Sequence, residues 1–187
     1  MRLSLLMATT ILLAAGCTQT PVPYQVNKTT DHPSNLNPIQ FPLGVTQERL
    51  GPNQYRITAK LAELGTQERA RAMALYHASI LTEEKQFEGF VIKQKNGGSW
   101  CHSLRNNKTK SVTDVDGGVS ARITIELMNS QNAGSEKFLK AENVKLTSKK
   151  TMDKVLSEQE LAFVKEEREE HCEANARKRT NRLRTAL

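Results

Sequence analysis

Three cysteines and four histidines stand in a chain of 187 residues, and two of each form a mirrored pair: Cys101-His102 and His171-Cys172. A thiolate beside an imidazole is the material of a nucleophilic enzyme, if the thiol is free and the base is within hydrogen-bond reach. Cys101 with His171 would meet that need only if the tail folded back on the rest of the chain. Two Cys and two His are also the donor set of a tetrahedral zinc site. The spacing opposes zinc. Neighbouring residues point to opposite faces of a strand, or diverge by about 100° on a helix. Zinc ligands within a pair normally stand roughly two to four residues apart. No metal or other cofactor is therefore expected. No G-x-S-x-G, H-E-x-x-H or phosphate-loop pattern occurs, and the chain reads as non-enzymatic.

The third cysteine closes the stretch MRLSLLMATTILLAAGC. Arg2 supplies a positive start, residues 3–13 an apolar run, and Ala14, Ala15 and Gly16 the small residues a signal peptidase requires. The run is too short to span a bilayer as a helix, and no later segment approaches the roughly twenty apolar residues a span needs. LLAAGC resembles the lipobox of bacterial lipoproteins, with Ala14 where Leu is usual. The resemblance implies a signal peptide of residues 1–16 and acylation of Cys17. It implies a protein tethered to the bilayer through that lipid. Thr18, where an Asp would retain the chain at the inner membrane, implies the periplasmic side of the outer membrane. In that oxidising space Cys101 and Cys172 tend to pair. A bridge between them would close a loop of about 70 residues and stabilise by roughly 4 kcal/mol. Unpaired thiols and a metal site stay open as alternatives.

Behind Cys17 the elements are read in order. Residues 17–46 are polar and carry Pro21, Pro23, Pro33, Pro38 and Pro42, so they read as a flexible tether. Fully stretched it would hold the following domain on the order of 100 Å from the bilayer; Tyr24, Ile39 and Phe41 are the residues that could dock it. Residues 47–150 read as an α+β domain, one helix packed on a small antiparallel sheet. QYRITAKL alternates as a half-buried strand. Thr66 caps a helix to about Lys85 that places Ala70, Met73, Ala74, Ile80 and Leu81 on one face. His77 lies on that face as an edge-of-core histidine with one bonded nitrogen. FEGFVIKQ is a second strand, Asn96-Gly97-Gly98 a turn, SWCHSLRN a third strand, and Asp116-Gly117-Gly118 another turn. VSARITIELM alternates most cleanly of all. A short strand or helical turn is expected around Val144. Residues 151–187 lack Gly and Pro and read as a long charged helix, its first half able to dock on the domain.

Three segments, GCTQTPVPYQ, RLGPNQYRITAKL and TQERARAMALYHASILTEEKQFEGFVI, resemble a family of small uncharacterised lipoproteins of proteobacteria. The likeness rests on Asn53, Tyr55, Arg56, Ala74, Leu75, Ala78, Leu81, Phe87 and Phe90. It covers about half of the chain and implies location and fold more than activity.

The net charge of +7 points to anionic partners. An exported protein meets lipid A phosphates, murein carboxylates and acidic proteins rather than nucleic acid. Arg177, Lys178, Arg179, Arg182 and Arg184 are the candidate binding residues, beside Trp100 as a stacking platform. The plainer readings are a solvated helix end that suits the macrodipole and a Trp packed on the bridge. The function expected is an envelope lipoprotein of structural or adaptor type that docks on a periplasmic or outer-membrane partner. The alternative is a periplasmic ligand- or peptidoglycan-binding module.

Overall fold

The structure, a computed structural model, describes Tyr24 and residues 43–62, 65–105 and 112–185. The fold is α+β, with elements in the order β1 (Gly44–Arg49), β2 (Gln54–Leu61), α1 (Gln67–Glu84), β3 (Gly89–Arg105), β4 (Val112–Met128), β5 (Phe138–Lys140), α2 (Ala141–Met152) and α3 (Glu158–Thr185). The strands form one antiparallel sheet ordered β1-β2-β4-β3-β5.

The alternation read in β2 and β4 is what builds the core. Tyr55, Ile57, Ala59 and Leu61 of β2 and Val119, Ala121, Ile123, Ile125 and Leu127 of β4 all turn to one face and are buried. The residues between them face solvent on the other side, as an antiparallel sheet permits. α1 covers the inner face with Ala70, Met73, Ala74, Ala78 and Leu81, and the alanines let it lie close. Thr66 caps α1 by accepting the Arg69 N–H at 3.0 Å. α2 packs chiefly on α1 and adds Met152 to the core. A full helix thus follows a very short strand around Val144. Ile80 is only half-buried, and the face of α1 includes Ser79 and Thr82 instead, whose hydroxyls donate to the carbonyls of Leu75 and Ala78.

Three boundaries differ from the sequence reading. β1 begins at Gly44, inside the segment read as tether, and Val45 is fully buried. Asn96-Gly97-Gly98 is no turn but the middle of β3, and Asp116-Gly117-Gly118 lies within β4. The glycines serve close approach instead. A Cβ on Gly97 would stand 2.2 Å from Gln67 Nε2 and 2.7 Å from the Ser120 carbonyl, so only glycine lets the start of α1 reach the sheet. Gly118 has φ +121°, and a Cβ there would lie 2.0 Å from the Leu61 carbonyl. We expect Gly118→Ala to destabilise by at least about 1–3 kcal/mol, the cost of that backbone conformation for a residue with a side chain. A urea denaturation midpoint equal to the parent's would refute this.

β3 and β4 each run for 17 residues, far beyond the rest of the sheet. β2 pairs with β4 only as far as Leu61 opposite Val119, and β5 with β3 only over 89–91. Past that point, among the described residues, the two strands pair with each other alone, as a two-stranded arm. The register shifts at Trp100/Cys101, where Gly117 is the extra residue, and a bulge of this kind re-aims the ribbon. A lone two-stranded ribbon is marginal in water. This one is covered by α3.

Candidate functional site

Alternation along the arm turns Cys101 and Ser103 of β3 and Asp114 and Asp116 of β4 to one face. Opposite them α3 presents Arg168, Cys172, Asn175 and Arg179, spaced four, three and four apart, which is one stripe of a helix. Leu161 and Val164 begin the same stripe and are half-buried. The two stripes meet in a lattice of covalent, ionic and hydrogen bonds. Cys101 and Cys172 form a disulfide, with Cα atoms 5.6 Å apart. Arg168, with 4% of its side chain exposed, places Nε 3.4 Å from Asp116 Oδ2 and donates through Nη1 to the Gly65 carbonyl at 3.2 Å. The other Asp116 oxygen accepts the Gly118 N–H at 2.9 Å. Asp114, whose side chain is 1% exposed, accepts from Arg179 Nη2 at 2.8 Å and from the Ser103 hydroxyl at 2.6 Å. Arg179 Nη1 closes the ring on Ser103 Oγ at 2.7 Å.

This arrangement decides what the mirrored Cys–His pairs do. Both sulfurs are used by the bridge, so a Cys101 thiolate is not on offer. His171 is exposed and shares a 3.0 Å hydrogen bond with Asn175, while His102 stacks edge-on against Trp100 at 4.6 Å. Among the described residues no group of three metal-binding side chains gathers.

Among the described residues, Trp100, Arg177, Lys178 and Arg179 do not form one surface. Trp100 lies over Gly117, where an added Cβ would come within 2.4 Å of its ring, and it points to the face of the arm away from the bridge. Arg179 is turned inward to Asp114, and Arg177 pairs along its own helix with Glu173 at 3.2 Å. Lys178 is exposed. The side chains of Arg182 and Arg184, like Cys17, lie outside the described residues. α3 docks through its middle. Phe163, in the apolar first half expected to dock, is 61% exposed, and so, at 62%, is Val155 ahead of the helix. The start of α3 is fixed locally by a capping box. Ser157 Oγ accepts the Glu160 N–H, and the Glu160 carboxylate accepts the Ser157 N–H at 2.9 Å. That N–H, with Lys154 and the Ser157 hydroxyl, holds the Glu160 carboxyl down to about 2.

Asp114, Asp116, Arg168 and Asn175 were missed in the sequence. The signals were an Asp-Val-Asp alternation, which puts two carboxylates on one strand face, and a lone Arg within EEREE.

A second constellation lies on the far side of α1. Tyr24 Oη donates to His77 Nδ1 at 2.5 Å, and His77 Nε2–H donates to Gln47 Oε1 at 2.8 Å. The Tyr24 ring stands edge-on to Tyr76 at 5.1 Å. His77 thus has both nitrogens bonded, where one was expected. Burial pushes its pKa below the ordinary value, against the pull of Glu84. Burial, with Tyr76 and Glu84 nearby, raises the Tyr24 hydroxyl to about 12. The folded chain therefore holds His77 neutral. The stability this gives is complete above about pH 6.5 and is lost as pH falls through that value toward the lowered folded pKa, because the unfolded chain takes the proton first. We expect the urea midpoint to drop across that window and His77→Gln to flatten the drop. An unchanged slope in the variant would assign the effect elsewhere.

Comparison with family models, curated proteins and solved structures returned no match to this chain.

Proposed function

We propose that the chain is a lipid-anchored envelope protein of structural or adaptor type, held to the periplasmic side of the outer membrane by acylated Cys17. On this reading the arm and α3 dock an envelope partner. The anchor is supported by the signal-like residues 1–16 and by LLAAGC before a cysteine that the bridge does not use. The observation that carries the adaptor reading is the lock between arm and α3. Side chains with chemical potential, Cys101, Cys172, Asp114, Asp116 and Arg168, are spent on fixing the middle of a 28-residue helix to a hairpin. A helix of that length is about 42 Å long. Fixed in this way it presents a preformed surface, and preformed surfaces bind at lower entropic cost.

Crosslinking in intact cells that express a tagged full chain tests the reading. A recurring envelope protein, lost when 177–187 are deleted, is the expected result. Murein fragments alone would favour the peptidoglycan-binding alternative, and nothing above background would end the adaptor reading.

A further inference from the structure

Tyr24 follows Cys17 by seven residues. However those residues are arranged, their contour cannot exceed about 25 Å. Tyr24 is seated on the domain, against Tyr76 and His77. If Cys17 carries the lipid, the leash between bilayer and domain is this short piece and not the whole of 17–46. The surface around Tyr24 must then lie close to the headgroups.

That surface has a matching chemistry. Tyr76, the ring under Tyr24, stands on α1 two turns before Glu83, which pairs with Lys145 of α2, while Lys149 pairs with Asp153. The core side of α2 is marked by Ala141, Ser148 and Met152. Stepping round the helix by about 100° per residue from that side, Lys145 and Lys149 come first, then Leu146 and Lys150 pointing outward. Leu146 is 66% exposed and Lys150 is exposed. Between 140 and 154 stand five lysines, of which Lys145 pairs with Glu83, Lys149 with Asp153 and Lys154 with Glu160. Leu146 has Lys149 and Lys150 one turn on and Glu142 one turn back, and a large exposed apolar side chain beside lysines suits a helix face at the interface of an anionic bilayer.

We propose that Tyr24 acts as a cleat which shortens the tether and lays the outer face of α2, centred on Leu146 and Lys150, on an anionic phospholipid leaflet. The proposal rests on acylation of Cys17. The arm leaves the sheet at the other end of α1, where Gln67 bonds to the Ser120 carbonyl, so the cleat would direct the arm and the docked part of α3 away from the bilayer.

The test uses the full acylated chain in vesicles of phosphatidylethanolamine and phosphatidylglycerol, with an environment-sensitive fluorophore on Leu146→Cys. A second labelled chain carries Gln54→Cys on the open face of the sheet. The mass of the mature chain and its flotation with vesicles report the anchor. Absence of acyl groups would remove the premise, and this is read independently of the fluorophore. With acylation present, the 146 label is expected to shift to the blue and to be quenched by headgroup nitroxides, and the 54 label to stay in water. Tyr24→Ala is expected to abolish both signals at 146. Lys149→Glu with Lys150→Glu, which leaves the cleat intact, is expected to reduce them severalfold. A 146 label in water in the otherwise unaltered chain overturns the proposal. So does a 146 label that stays at the headgroups in Tyr24→Ala.

Discussion

Replacing Cys101 and Cys172 together by alanine is expected to lower stability by about 4 kcal/mol, the entropic worth of a loop of some 70 residues. The loss should be unevenly spread. The core of β2, β4 and α1 is buried without any help from α3. The arm is a two-stranded ribbon that α3 covers on one face. Without the bridge, α3 is held by ion pairs, hydrogen bonds and the half-buried Leu161 and Val164, and the desolvation cost of a buried pair such as Arg168–Asp116 offsets much of its attraction. Amide protons across α3 and the outer halves of β3 and β4 should therefore exchange much faster in the variant. Those of β2, and of α1 beneath Ala70 to Leu81, should hold. Equal protection of α3 with and without the bridge, measured by hydrogen exchange, would show that the polar lattice suffices and would discredit the account of the arm given above.

Asp116→Ala should be the most damaging single change outside the apolar core. It leaves the Arg168 guanidinium buried at 4% exposure with only the Gly65 and Val164 carbonyls as acceptors, and Nη2 already lacks a hydrogen-bonding partner among the described residues. A buried charge stripped of its counter-ion typically costs about 3–5 kcal/mol. The double variant Asp116→Ala with Arg168→Met should recover much of that loss, since apolar replacement of a whole buried pair is often close to neutral. Asp114→Ala should cost less, because its partner Arg179 has 53% of its side chain exposed and can turn to water. A thermodynamic cycle from chemical denaturation checks all three. If the double variant is as unstable as the sum of its single changes, the two side chains do not act as a pair.

The core was legible because its signal is apolar alternation. Tyr55, Ile57, Ala59 and Leu61 in β2 and the run from Val119 to Leu127 each announce a strand with one buried face, and Thr66 announces the start of α1. The disulfide followed from cysteine arithmetic once Cys17 was assigned elsewhere. The arm was not legible. Its glycines imitate turns, but Gly97 and Gly118 are required by the close approach of Gln67 and of the Leu61 carbonyl, contacts made by residues distant in sequence. The docking stripe of α3 was hidden for a related reason. Helix faces are usually recognised by apolar periodicity, and here the period is written in Arg168, Cys172, Asn175 and Arg179. Charge counting treated Arg179 as a ligand-facing residue, and only the fold places Asp114 beneath it. Tyr24 was named as a residue that could dock the tether, but its seat on His77 and Tyr76 carries no local signal.

The separation of 71 residues between the bridged cysteines also sets a schedule. A chain made from its N-terminus at roughly 5–20 residues per second displays Cys101 several seconds before Cys172 exists. β1, β2, α1 and β3 are complete in sequence by then, and β4 can zip onto them. Oxidation itself takes about seconds to hours. The newborn molecule thus passes through a period with a finished body and an undocked rear helix, its arm unsupported. How long that period lasts is governed by the local oxidant and not by the folding of the core. It is also the period in which the arm and the rear helix are most open to proteolysis, since locally undocked segments are the ones that proteases reach.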